Sequence, residues 1–169
     1  MKLRRARKQD AVPIHRLIEH YVRQGLLLPR SLEEISAHVS HFVVAERDAA
    51  IMGCAALEPY HDGLGELRSL AVAEIERGRG TGAELVQTIL RRARRQGIER
   101  VFAVTHAPTF FVRNGFGQGN EMPAEKIARD CMGCLRFGRC TLSTVIAYTN
   151  RTSRPVAPQD SVRLSISAS

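Results

Sequence analysis

Apolar residues along the chain recur with two different periods, and the switches between them mark out the elements. Period-two alternation or short apolar runs predict strands over Leu3 to Arg7, Phe42 to Glu46, Ile51 to Leu57, Leu64 to Val72, Arg100 to Thr105 and Leu142 to Tyr148, with another beginning at Phe116. In the fourth of these, Leu67, Ser69 and Ala71 fall on one face and Leu70 and Val72 on the other. Arg47-Asp48-Ala49-Ala50 joins the second and third strands as a hairpin, and Leu64–Val72 completes a meander. Period 3.6 predicts helices. Asp10 caps the first, whose stripe is Ile14, Leu17, Ile18 and Tyr21 and whose stop is Gly25. Ser31-x-x-Glu34 is a capping box for a short second helix with Leu32, Ile35 and Val39. A long helix carries Leu85, Val86, Ile89, Leu90 and Ala93 and halts at Gly97. Pro108 to Asn114 and Pro123 to Cys131 read as two shorter ones, the former ended by Gly115. The order, βααβββαβαβ, is that of an α/β fold around a mixed sheet. Residues 1–149 form one domain, and 150–169, aperiodic and rich in Ser, Arg, Pro and Ala, read as a disordered tail.

With 44% hydrophobic and 25% charged residues, the composition is that of a soluble globular protein. No run reaches the ~20 apolar residues of a membrane span. The basic start, Met1 to Arg7, is followed by no apolar signal region, so the cytoplasm is the expected location. The net charge of +8 is scattered rather than clustered. Arg91, Arg92, Arg94 and Arg95 close the long helix, where cations complement the dipole. Trp is absent and aromatics are 5%, which leaves few stacking platforms for bases, so nucleic acid is not an expected partner.

The candidate chemistry starts between the Leu64–Val72 strand and the long helix, at Arg77-Gly78-Arg79-Gly80-Thr81-Gly82. Glycines let an anion approach the backbone, the free N–H groups opening a helix attract it, and two arginines add forked donors. A flexible Gly-rich turn is the plainer alternative. A Walker ending is absent, and the G-x-G-x-G spacing is not a dinucleotide fingerprint. What fits is R-x-x-G-x-G, from Arg77 through Gly80 to Gly82, which resembles the acetyl-coenzyme A loop of the GNAT N-acetyltransferases. The resemblance extends over residues 3 to 148. Leu28-Pro29-Arg30-Ser31, Gly53 to Leu57, Gly65 to Val72, Arg100 to Thr105 and Phe110-Phe111-x3-Gly115-Phe116 are similar to the acetyltransferase domain of N-acetylglutamate synthases, in the short form that lacks a kinase domain.

The resemblance implies the GNAT fold, a mixed and mostly antiparallel sheet flanked by helices. It also implies acetyl-CoA as cosubstrate, whose phosphates suit the basic surplus. Arg77, Gly78, Arg79, Gly80, Thr81 and Gly82 would hold its pyrophosphate, and the backbone N–H groups of Leu70, Ala71 and Val72 its pantetheine arm, because a bulged strand there leaves amides unpaired. The implied acceptor is L-glutamate, acetylated on its α-amino group for arginine biosynthesis. An ammonium must lose a proton before attack, and Glu66, just ahead of the loop, matches the family's proposed base. Glu66 facing solvent is the bland alternative, with Glu58 in reserve. Thr105 matches a hydroxyl that helps protonate the leaving thiolate, which here has Phe111 where many members have a tyrosine; Tyr60, His106 or water are the other donors. Arg30, Ser69 and Ser143 are the acceptor-binding candidates. The family's Arg-x-Ser before the last strand becomes Thr141-x-Ser143, with Arg139 displaced by two, so glutamine or aspartate also remain as acceptors. Other readings are a small amine or protein N-terminus as acceptor, or a non-catalytic acyl-CoA module. A homodimer is one option for the assembly.

Four cysteines complete the inventory. Cys54 in an apolar strand reads as a small buried hydrophobe. Cys131-x2-Cys134-x5-Cys140 has the hook spacing of a structural metal site, with His106, His38 or His41 as a fourth ligand; free thiols or a disulfide are the alternatives.

Overall fold

The computed structural model describes residues 1–119, 122–134 and 140–150. Its strands are β1 (Lys2–Arg5), β2 (Phe42–Arg47), β3 (Ala50–Pro59), β4 (Leu64–Val72), β5 (Arg100–Thr105), β6 (Gly117–Gln118) and β7 (Ser143–Tyr148). The helices are α1 (Ala11–Arg23), α2 (Leu32–Ala37), α3 (Thr81–Arg95), α4 (Pro108–Arg113) and α5 (Ala124–Lys126), the last running on into a π turn, Ile127–Cys131. Every expected strand and helix is present, and the last two, the helix from Pro123 and the strand to Tyr148, extend the shorthand order βααβββαβαβ by a final αβ unit. Of the anticipated tail at 150–169, residues 151–169 lie outside the described residues, as does Arg139.

The strands form one sheet in the order β1-β2-β3-β4-β5-β7-β6. Every neighbouring pair is antiparallel except β4–β5. Both faces are covered, so the strands are apolar on both sides. Val43, Ala45, Leu67, Val101 and Ala103 pack with Leu85, Val86 and Ile89 of α3. On the opposite face Phe42, Val44, Cys54 and Ala71 pack with Ile14, Ile18 and Tyr21 of α1 and Ile35 of α2.

The sequence expectations needed two local corrections. Asp10 does not cap α1 with its side chain. A 3₁₀ turn over Lys8–Asp10 precedes the helix, and the Asp10 carboxylate instead accepts from the Arg7 N–H at 2.6 Å and from Arg4 at 2.7 Å. The expected faces of β4 are also wrong. Leu67, Leu70 and Val72 all belong with the α3 core, whereas Ala71 lies on the α1 side. A bulge explains the change of parity. Cys54 and Ala56 of β3 pair with Ala71 and Arg68, so three steps of β4 oppose two of β3, and Ser69 takes up the extra residue at φ +54°. One inserted residue swaps the faces of everything beyond it.

Candidate active site

The bulge coincides with a split in the sheet. The β4–β5 pairing runs from Leu64↔Arg100 to Glu66↔Phe102 and stops, while β5 continues beside β7 to Thr105↔Ser143. Into the opening fits a cavity of about 150 Å³. Its walls are Glu66 to Leu70 of β4, Ala103 to Thr105 of β5 with His106 just after it, the Leu26–Leu28 segment with Arg30, and Lys126, Asp130 and Cys131 from the π-turn region. Two further pockets adjoin it by sharing walls. One is lined by Arg30, Glu34, His41, Glu58, Arg68 and Ser69. The other is lined by Tyr21, Leu70, Ala71, Val72, Arg77, Thr105 and His106, and leads toward the glycine loop.

Glu66 is only 3% exposed. Lys126 Nζ stands 2.8 Å from Oε1 and 3.1 Å from Oε2, and the Tyr60 hydroxyl donates to Oε2 at 3.0 Å. Lys126 also holds Asp130 at 2.6 Å. Burial pushes the Glu66 carboxyl above its ordinary range; Lys126 and the Tyr60 hydrogen bond act against that rise, and Asp130 adds to it. A carboxylate that binds protons more tightly than usual, on the wall of a cavity, is suited to general-base work near neutral pH. Tyr60 is pushed up by burial and by the Glu66 charge, so its phenol stays protonated and keeps donating. The reserve base, Glu58, is engaged by Arg129 at 3.0 Å and His41 at 3.1 Å.

The loop has the geometry that an anion needs. Gly78 and Gly80 have φ of +73° and +85°, and a Cβ at either would meet nothing within 4 Å. Open space above backbone in the left-handed region leaves room for a ligand where most residues would be strained. Gly80 is the N-cap of α3, fifteen residues long, so unpaired amides and a helix dipole face the same space. Arg77 and Arg79 are exposed, and Arg77 also lies over the Tyr21 ring at 5.1 Å. Gly82 has a packing role as well, since a Cβ there would come within 3.3 Å of Phe110. Buried Glu76, paired with Arg47 at 2.6 Å, anchors the loop's start.

Thr105 Oγ1 accepts from the Ala107 N–H at 2.9 Å, which leaves its own proton available to a neighbour. Ser143 sits opposite Thr105 on β7; the cavity wall there is its neighbour Leu142. Arg30 lines the cavity and pairs with Glu34, which is why Glu34 does not close the capping box although Ser31 accepts its N–H at 3.0 Å. Phe111 is core, edge-on between Phe110 and Phe116. Sequence reasoning missed Lys126, Asp130, Arg68 and Arg129. A signal existed for Arg68, two residues after Glu66 on one strand face. None existed for Lys126, which is 60 residues from Glu66.

The metal expectation is not supported. Among the described residues no group of three or more His, Cys, Asp or Glu side chains is placed to hold an ion. Cys131, Cys134 and Cys140 line the cavity instead, with Cys131 Sγ 3.4 Å from Met122 Sδ. Burial raises the Cys131 thiol, which disfavours the thiolate a metal needs, and His41 is committed to Glu58. Cys54 is fully buried, with its thiol pushed up to about 12, and behaves as the small hydrophobe anticipated.

Residues 9–116 match the model of the acetyltransferase (GNAT) family. The chain belongs to this family. An uncharacterized N-acetyltransferase of Chlorobaculum tepidum is 37% identical over 82% of the chain and 90% of its own length. An amino-acid acetyltransferase of Mycobacterium tuberculosis is 34% identical over 76% of each. One from Ralstonia nicotianae is 38% identical, but the 68% of the chain that aligns spans only 26% of that longer protein. In structure, N-acetylglutamate synthase from Neisseria gonorrhoeae, complexed with coenzyme A and N-acetyl-glutamate, superposes with a TM-score of 0.80 at 29% identity, covering 89% of this chain and 35% of that one. The seven-stranded GNAT sheet and the acetyltransferase class are therefore established. Among the described residues no helix is long and apolar enough to cross a membrane.

Proposed function

We propose that this GNAT enzyme transfers the acetyl group of acetyl-CoA to the α-amino group of an amino acid, with L-glutamate as the preferred acceptor and arginine biosynthesis as its setting. The observation that carries the reading is buried Glu66, held by Lys126 and Tyr60 beside a cavity that also receives Arg30 and Arg68. A carboxylate base next to guanidinium groups suits an acceptor with an ammonium at one point and carboxylates at others. The relatives named amino-acid acetyltransferase support the same class.

The residues divide the work along the cleft. Arg77 to Gly82 hold the pyrophosphate, and the bulged backbone at Leu70, Ala71 and Val72 receives the pantetheine arm. The cosubstrate, when bound, supplies the acetyl thioester. Glu66 takes a proton from the acceptor ammonium, freeing the lone pair that forms the amide bond as the carbon–sulfur bond breaks. The nitrogen loses a second proton as the amide forms, and the Thr105 hydroxyl relays it, giving its own proton to the leaving sulfur and taking up the one from nitrogen. Arg30 binds the side-chain carboxylate, with Ser69 and Ser143 as further polar contacts.

Arg30 is already engaged by Glu34, and Thr141 stands where an arginine was anticipated. Those two facts favour L-glutamine as the second reading. Thiol release with a panel of amino acids, with product masses determined, tests both. The highest kcat/KM is expected with glutamate. Acetylation of polyamines or protein N-termini alone would overturn the amino-acid reading.

A further inference from the structure

Four cations surround the acceptor end of the cleft, and three are matched at close range. Arg30 pairs with Glu34, Arg129 lies 3.0 Å from Glu58, and Lys126 lies 2.8 Å from Glu66 and 2.6 Å from Asp130. Arg68 differs. Its carboxylate neighbours among the described residues are Glu66 at 3.8 Å and Asp130 at 3.4 Å, and Lys126 holds both of them more closely. Its Nε is buried and has no hydrogen-bond partner among the described residues. Its side chain is 11% exposed and lines both the main cavity and the adjoining charged pocket. A guanidinium is a rigid fork of five donors matched to a carboxylate, and a buried donor is normally satisfied.

We infer that Arg68 binds the α-carboxylate of the acceptor, an inference that rests on the amino-acid reading above. Glu66 and Arg68 precede the bulge and lie two residues apart on one face of β4, about 6.6 Å along the strand. The guanidinium folds back to 3.8 Å from the Glu66 carboxylate. An ammonium hydrogen-bonded to Glu66 therefore carries its α-carboxylate, two bonds away, within reach of Arg68. Arg30 approaches from the segment after α1 and is left for the side chain. The division explains how the cleft does without an arginine at Thr141: the second cation comes from β4 rather than from the approach to β7. Arg68 selects α-amino acids as a class, and Arg30 sorts among them.

The test compares wild type with R68A, R68Q and R68K on L-glutamate, L-glutamine and L-isoglutamine, in which the α-carboxylate is a neutral amide. R68A and R68Q are expected to raise KM about ten- to a hundredfold for glutamate and glutamine alike, the range for hydrogen bonds to charged groups. Isoglutamine, already poor with wild type, should lose little more. R68K should fall between, keeping the charge without the fork. KM for acetyl-CoA should not move. Equal losses for glutamate and isoglutamine in R68Q would make Arg68 a structural residue and overturn the inference while leaving the amino-acid reading intact. Wild-type enzyme that acetylates amines but no amino acid would overturn both.

Discussion

Glu66 is the residue on which the chemistry turns, and its neighbours set where it titrates. Burial raises it, and Lys126 is the main group opposing that rise. Asp130 pushes in the same direction as burial, Tyr60 donates, Arg68 stands 3.8 Å away and Glu58 faces it across β3–β4. A base must be ionised to accept a proton, so activity falls as pH drops through its pKa. K126M removes the closest cation and should carry Glu66 further up, moving the acid limb of kcat/KM to higher pH. K126R should move it less. A pH–rate profile for K126M with an unshifted acid limb would assign Lys126 to packing alone. E66Q should keep coenzyme A affinity and lower kcat by about 10²–10⁴-fold, the usual share of general-base catalysis, with partial recovery at alkaline pH where more acceptor amine is neutral. R30A should raise KM for glutamate by a factor equivalent to about 1.5–3 kcal/mol and leave glutamine nearly unaffected, because the neutral amide never had that charge to lose. Equal KM for glutamate in R30A and wild type would remove Arg30 from the acceptor site.

At the level of the element, β4, its glycine loop and α3 act as one unit. Leu85, Val86 and Ile89 fix α3 against the sheet, the Arg47–Glu76 pair fixes the start of the loop, and the positive-φ glycines turn backbone toward open space. G80D puts a side chain and a negative charge where anion binding is proposed, in a conformation that costs a non-glycine residue about 1–2 kcal/mol. Calorimetry should detect no coenzyme A binding, and circular dichroism should show an unchanged fold, since a Cβ at Gly80 meets nothing within 4 Å. Wild-type affinity in that variant would place the pyrophosphate elsewhere.

Across the whole molecule, the first strand and helix are tied to the sheet by Arg4, which bridges Asp10 and Glu46. Hydrogen bonds from Arg4 are the largest influence holding the Asp10 carboxyl below its usual range, against a smaller effect of burial. A lowered carboxyl stabilises the fold above its unfolded value of about 3.9, and that contribution disappears as pH falls through the folded value. D10N should therefore melt lower than wild type at pH 7, by about 2–4 °C for each kcal/mol lost in a protein of this size. The gap should narrow below about pH 4, where the unfolded carboxyl takes up its proton, and close as pH falls through the lower folded value. A difference in melting temperature that persists unchanged into acid would show that shape rather than charge makes Asp10 important.

The sequence by itself determined what is local or periodic. The strand at Leu64–Val72 was legible to the residue, as were the α3 stripe and the R-x-x-G-x-G loop, because each depends on neighbours within a turn or a pleat. The hairpin turn was equally legible, and Asp48 and Ala49 there both take positive φ. Tertiary structure decided what depends on distance along the chain. The Ser69 bulge, set by pairing with β3, put Leu67 and Ala71 on opposite faces where one face was expected. Asp10 looked like a cap because nothing in its own segment announces that Arg4 and the Arg7 amide hold its carboxylate. Cys131 and Cys134 had metal-ligand spacing, but spacing does not supply a fourth ligand or a thiolate, and the fold placed them on a cavity wall instead. Lys126 and Glu66 became partners only because the parallel β4–β5 pairing ends at Glu66 and the π turn closes over the opening. A titratable group takes its chemistry from charges within a few ångströms, and over a separation of 60 residues only the completed fold brings them that close.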